Sequence, residues 1–195
     1  MSENLISSVK PKSKGVYLIT LIEDGKKNQY EISEGTYREI GCPLSGEKID
    51  GDSLAVLCAE DERRRALQKS LNVLSYADNN KTALRRKLRM AGFSSEATEA
   101  AISECVMHGY IDEERQAERL VLKHAGELLG PYKIKAKLAA RYYSPALITK
   151  TIRALEERGE IDFKKNRDAL ICAKLGTDAS YEEKRKLLYK YGYVK

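Results

Sequence analysis

Residues 41–48, Gly-Cys-Pro-Leu-Ser-Gly-Glu-Lys, come within one place of a phosphate loop. Such a loop needs its Lys directly after the second Gly and a hydroxyl after that. Lys48 arrives one place late, Ile49 stands where the hydroxyl belongs, and no clear apolar strand leads in, so nucleotide binding is not expected. Cys105 and His108 are three apart on an expected helix, yet His124 and the dispersed Cys42, Cys58 and Cys172 do not complete a four-ligand zinc set. A buried Cys105 and a surface His108 are expected instead. Glu113 with Glu114, and Glu156 with Glu157, are sequence neighbours that diverge on a helix and so make no facing acid and base. The chain is read as a non-enzyme with no cofactor and no metal.

The chemistry that remains is cationic. Arg85, Lys135 and Arg185 recur at a fixed offset of fifty residues. Around them stand Arg86, Lys87 and Arg89, then Lys133, Lys137 and Arg141, then Lys184, Lys186 and Lys190. A helix that presents Lys and Arg at recurrent positions can touch phosphates or acidic side chains, and charge alone does not read a base sequence. Tyr142, Tyr143, Tyr189, Tyr191 and Tyr193 lie among these cations; stacking on bases is one use for them and edges of a core the commoner one. Residues 1–60 carry 7 Lys/Arg against 10 Asp/Glu, and residues 61–195 carry 28 against 19. The positive field therefore belongs to the second part, which favours a polyanion or an acidic protein groove as partner.

The same offset governs the scaffold. Residues 84–112 laid over 134–162 match at Lys87/Lys137, Leu88/Leu138, Ser94/Ser144, Ile102/Ile152, Gly109/Gly159, Ile111/Ile161 and Asp112/Asp162. These are a core Leu, a helix cap, a core Ile, a helix-ending Gly, an apolar plug and the cap of the next helix. Arg185, Leu188 and Gly192 begin a third copy that lacks its last helix. The middle helices are expected to start after Asn80, Gly130 and Ser180, where Ser180 with Glu183 spells a capping box. Ser94 and Ser144 should cap the third helices, with Pro145 fitting a first turn. Tyr142 stands where the other copies have Gly92 and Gly192, so that turn must be built without glycine. The expected fold is mainly α: tandem three-helix, helix-turn-helix-like repeats in an elongated curved array, at residues 61–111, 112–161 and, in part, 162–195.

Residues 1–60 read differently. Residues 16–22 are apolar and β-branched, Asp24 and Gly25 make a turn, and residues 29–32 return, so a small β-hairpin module is expected. Ser33 should cap a short helix running to Ile40, and a second short helix is expected near residues 53–58. A lone hairpin is marginal in water, so its apolar face should lean on the first repeat helices. Of the 195 residues 42% are hydrophobic, but no run reaches the roughly 18 apolar residues of a membrane span. The first fifteen residues lack the apolar centre of a secretory signal, and the expected setting is the cytoplasm.

Residues 109–117, Gly-Tyr-Ile-Asp-Glu-Glu-Arg-Gln-Ala, followed by Gly130, Pro131, Tyr132, Lys133, Ile134 and Leu138, resemble the central signature of the RecX family of RecA regulators. Residues 83–88, Ala-Leu-Arg-Arg-Lys-Leu, with Ala91, Gly92 and Phe93, are similar to that family's first repeat. The resemblance covers about residues 60–195. It implies a monomeric protein of DNA repair, homologous recombination and the SOS response that binds the RecA filament on single-stranded DNA and inhibits its recombinase and ATPase activities. The residues suggested for that contact are Arg85, Arg86, Lys87, Arg89, Lys133, Lys135, Lys137, Arg141, Arg185 and Lys186. DNA, single- or double-stranded, is a further expected contact, and a direct DNA-binding helical-repeat regulator is the alternative reading.

Overall fold

The computed structural model describes residues 4–176 and 179–195. An antiparallel sheet of β1 (Leu5–Ser13), β2 (Val16–Glu23) and β3 (Lys26–Ser33) precedes α1 (Glu34–Glu39) and α2 (Gly51–Tyr76). The repeats continue as α3 (Lys81–Met90), α4 (Ser95–Met107), α5 (Glu113–Gly126), α6 (Pro131–Ala139), α7 (Pro145–Glu157), α8 (Phe163–Leu175) and α9 (Tyr181–Tyr191). The chain divides into two compact units, Met1–Ala77 with Leu84–Tyr110, and Asp78–Ala83 with Ile111–Lys195. Among the described residues no helix is long and apolar enough to cross a membrane.

In the first unit the expected hairpin is β2 with β3, and it gains a third strand. β1 pairs along β2 with register shifts near Ser8 and Ser13. Its Pro11 cannot donate to a ladder and is tolerated because β1 is an edge strand. The loop before α2 covers the start of that edge: Ile6 N–H donates to Glu47 O at 2.9 Å and Gly46 N–H to Ile6 O at 2.8 Å. Of the near-phosphate loop's amides, Gly46 N–H is thus spent on the sheet, while those of Gly41 and Cys42 donate to carbonyls of α1 and those of Leu44 and Glu47 donate within the loop. Ile6, Ile19, Leu21 and Ile32 are buried with Ile49 and Leu57, so the apolar face leans on a helix as expected. That helix is longer than the short one expected near residues 53–58. Asp50 caps it, and no Gly or Pro interrupts residues 52–76, so the polar stretch 59–65 continues α2 straight through Asp61.

The caps of the repeats follow the fifty-residue rule. Asn80 Oδ1 accepts Ala83 N–H at 2.8 Å, and Ser94, Asp112, Ser144, Asp162 and Ser180 each accept an amide of their helix's first turn. Ser180 and Glu183 complete the capping box. Gly109 and Gly159 hold φ of 72°, and Ile111 and Ile161 are buried behind them. The second unit's core joins Ala117, Val121 and Ala125 of α5 to Ile134 and Leu138 of α6 and Ile148, Ile152 and Leu155 of α7. Fully burying one such aliphatic side chain stabilises by about 1.5–3 kcal/mol.

The second unit also contains a joint that repeats. At the start of α6, Gly130 N–H donates to Tyr191 O at 2.8 Å and Tyr132 N–H to Gly192 O at 3.1 Å. Gly130 has no side chain to cap its helix, and the carbonyls ending α9 take that role, negative helix end against positive. Fifty residues earlier Asn80 Nδ2 donates to Arg141 O at 2.7 Å, so the turn after α6 meets the start of α3 as the turn after α9 meets α6.

Candidate functional site

On α3 the buried Leu84 and Leu88 set one face, and Arg86, Lys87 and Arg89 are exposed on the other. Arg85 is half-buried and forms a two-pronged pair with Glu99 of α4, at 2.5 and 2.7 Å. Its hydrogen bond holds the Glu99 carboxyl below the usual carboxylate range. Arg89 Nη1 donates to Phe93 O at 3.1 Å, satisfying a carbonyl just beyond the helix end.

On α6, Ile134 and Leu138 are buried, and Lys133, Lys135 and Lys137 are exposed. Lys133 Nζ donates to Lys190 O at 2.8 Å and lies 6.0 Å from the Tyr191 ring centre, so this cation belongs to the α6–α9 joint. Among the described residues neither Lys135 nor Lys137 is held in an ion pair. Close by, His124 is buried and bonded to Glu127 at 2.9 Å; that bond, with Lys123 and Lys137 near, keeps the Glu127 carboxyl below its usual range. Arg141 is exposed, and its carbonyl serves the joint with Asn80.

On α9, Arg185 and Lys186 are exposed and line a shallow groove of about 370 Å³ with Tyr189, Val194 and Lys195. Lys186 approaches Glu182 at 4.0 Å with both side chains largely in water, a pair worth little. Lys184 is half-buried and Lys190 exposed. The tyrosines divide. Tyr143 is buried with its hydroxyl donating to Gln116 at 3.0 Å, and its loss of solvent, with the carboxylates of Asp78 and Glu113 near, pushes its pKa up. Tyr193 donates to Leu128 O at 3.2 Å, whereas Tyr142 and Tyr189 are exposed.

Lys133, Lys135, Lys137, Arg141, Arg185 and Lys186 thus lie in the second unit, with the α6–α9 joint between the two helices. Arg85, Arg86, Lys87 and Arg89 lie in the first. The arrangement presents cations, most of them exposed, that attract anions over a Debye length of about 8 Å, with no nucleophile or acid-base pair among them. Among the described residues no group of three or more His, Cys, Asp or Glu could hold a metal ion; Cys105 is buried and His108 exposed. The sequence reading missed Glu99 as the counter-ion of Arg85, because a partner fourteen residues away on the next helix leaves no local spacing signal. It also passed over Arg64, inside the three-arginine run of residues 63–65 that signals a dense charge cluster.

No family model and no curated protein matches this sequence. Among solved structures, a crystal structure of RecX from Lactobacillus salivarius aligns with 69% of this chain and 99% of its own, at 14% identity and a TM-score of 0.47. A crystal structure of the regulatory protein RecX aligns with 100% of this chain and 95% of its own, at 20% identity and a TM-score of 0.68. From the sheet to the last helix, the chain has the fold of that regulatory protein.

Proposed function

We propose that this chain is a RecX-type regulator that binds the RecA recombinase filament on single-stranded DNA and inhibits its recombinase and ATPase activities. The observation that carries the reading is the end-to-end likeness of its fold to the regulatory protein RecX. The signature residues 109–117 and 130–138 support it independently of geometry. The contact is assigned to the middle helices of the repeats at 61–111, 112–161 and 162–195. Within it the cations are unequal. Lys135, Lys137 and Arg185 are exposed, and a partner's acidic groups or phosphates meet them at the cost of water alone. Arg85 must first give up Glu99, and Lys133 is held by Lys190 O.

The test is inhibition of RecA's DNA-dependent ATPase, with binding to the filament compared against binding to naked DNA at the same salt. Lys135→Glu with Arg185→Glu should raise the concentration needed for half-inhibition about tenfold or more, because like charges across an interface are costly while exposed charges add little to stability. Arg85→Glu should have a smaller effect. Circular dichroism checks folding. A folded double variant that inhibits like the parent removes these cations from the contact. A parent that binds naked DNA as well as filament replaces this reading with the DNA-binding regulator.

A further inference from the structure

Residues 60–65 of α2, Glu-Asp-Glu-Arg-Arg-Arg, crowd three guanidinium groups onto one helical turn. Two are neutralised where they stand: Arg63 pairs with Glu60 at 2.8 Å and Arg65 with Asp61 at 3.3 Å. Arg64 is different. Its Nε is enclosed by protein without any acceptor, and among the described residues no carboxylate pairs with its guanidinium. An enclosed donor left without an acceptor is costly, and such a group in a native structure asks for an explanation.

Arg64 lines a groove of about 420 Å³ between α2 and the sheet, a size within the roughly 300–1,000 Å³ of ligand sites. Its walls are fixed to each other, since Asp61 Oδ1 accepts the backbone N–H of Glu31 in β3 at 2.8 Å. Lys12 and Glu31, also in the lining, form an ion pair across the sheet. With Asp61 tied to Arg65, the lining is left one positive charge in excess, and that charge is Arg64. Gln29 and Gln68 add carboxamides, which donate and accept, and Leu18 adds an apolar surface. Two fixed carboxylates disfavour a nucleic-acid backbone, which brings a negative charge every few ångströms. A single carboxylate matches the excess, and carboxamides match the N–H and C=O groups of an extended chain.

We propose that this groove binds an extended acidic segment of a partner protein, one Asp or Glu carboxylate seated on Arg64 and the segment's backbone on Gln29 and Gln68. The site uses none of the residues assigned to RecA. The probes are acetyl-Val-Glu-Val-amide, its Gln counterpart and a single-stranded thymidine decamer, titrated into the full chain by ¹⁵N NMR. The readout is the Arg64 Nε–H signal, assigned by its loss in Arg64→Lys. The Glu peptide should shift that signal and the Gln29 and Gln68 carboxamides saturably, with the Gln peptide about tenfold weaker or more, as for loss of about 1.4 kcal/mol. Arg64→Gln should weaken the Glu peptide equally. Glu and Gln peptides binding alike, no shift at millimolar peptide, or a decamer that moves the same signals at lower concentration would each overturn the proposal. The first comparison titrates only the parent chain; Arg64→Lys serves assignment alone, and should it fail to fold, the Gln29 and Gln68 carboxamide signals of the parent still carry the contrast between the Glu and Gln peptides.

Discussion

The two joints of the second unit solve one problem with different atoms. At the start of α3 the Asn80 side chain reaches out to Arg141 O while its other atom caps the helix. At the start of α6 there is no side chain, and Gly130 lets the turn after α9 come against the backbone itself. A position fifty residues along the repeat thus keeps its job and changes its chemistry. An Asn holds the neighbour through a side chain that substitution can shorten, whereas a Gly holds it by close approach that any side chain forbids.

The sharpest break of this comparison is Gly130→Ala. Its φ of −79° suits alanine, so backbone strain is not the obstacle. The obstacle is space, because the new Cβ would lie 2.4 Å from Gly192 O and 2.6 Å from Tyr193 N. Both are backbone atoms that cannot swing aside, and the joint must open. A loss of about 2–3 kcal/mol in urea unfolding is expected, near the top of the usual cost of overpacking. The Tyr132 amide should also lose hydrogen-exchange protection. An unchanged midpoint with Tyr132 still protected would show that the contact is dispensable.

Asn80→Ala should cost less, about 1–2 kcal/mol, through loss of a buried cap and of one hydrogen bond. Asn80→Ser sharpens the result, since serine caps the helix but does not extend to Arg141. If the joint contributes at the first site, Asn80→Ser should fall between the parent and Asn80→Ala. Equal stability of Asn80→Ser and the parent would assign the whole effect to capping.

A third contrast separates the copies by pH. In the first copy Glu62 accepts the N–H and Oγ–H of Ser94, at 2.7 and 2.6 Å, and Ser94 caps α4. Fifty residues on, Asp112 caps α5 instead. The Ser94 hydrogen bonds hold the Glu62 carboxyl below its ordinary value of 4.5. A lowered folded-state pKa gives stability that is present above the unfolded value and is lost as pH falls through the folded one. Glu62→Gln should therefore be roughly 1 kcal/mol less stable than the parent at pH 7, after allowance for its partial exposure, and the gap should narrow as pH falls below the ordinary value and through the lowered folded-state one. A gap of the same size at pH 3 would place the effect in packing and not in ionisation.

What could be read beforehand follows from the range of the forces involved. Ser94, Asp112, Ser144 and Ser180 satisfy amides two or three residues away, so type and spacing suffice. β1 was not legible because only Ile6 of its nine residues is buried, and its Ser, Lys and Pro suit an edge without advertising a strand. The unbroken run of α2 was missed because the polar residues 59–65 read as a boundary at Asp61, while in the fold they continue the helix that Gly51 opens behind Asp50. At the candidate site the cation types were legible and their partners were not. Glu99 reaches Arg85, and Lys190 O reaches Lys133, only after separate helices have packed.

The smallest predicted effect concerns the turn that ends each middle helix. Phe93, Tyr143 and Tyr193 N–H donate to Leu88, Leu138 and Leu188 O, and Gly92, Tyr142 and Gly192 N–H to Arg89, Ala139 and Tyr189 O. This is the Schellman pattern three times over, and it requires a left-handed residue at its centre. Gly92 and Gly192 hold φ of 90° and 82° without strain, while Tyr142 holds 67° against the clash of its Cβ with the following carbonyl, a cost of about 1–2 kcal/mol. Tyr142→Gly removes that cost, but it frees the unfolded chain by about 0.4–1 kcal/mol and gives up the contacts of a ring that is 45% exposed. The terms nearly cancel, leaving an expected gain of a few tenths of a kcal/mol in urea unfolding. A loss of 1 kcal/mol or more would mean that the Tyr142 ring, and not the hydrogen bonds beneath it, holds the turn, and the second copy would then differ from its neighbours in mechanism as well as in residue.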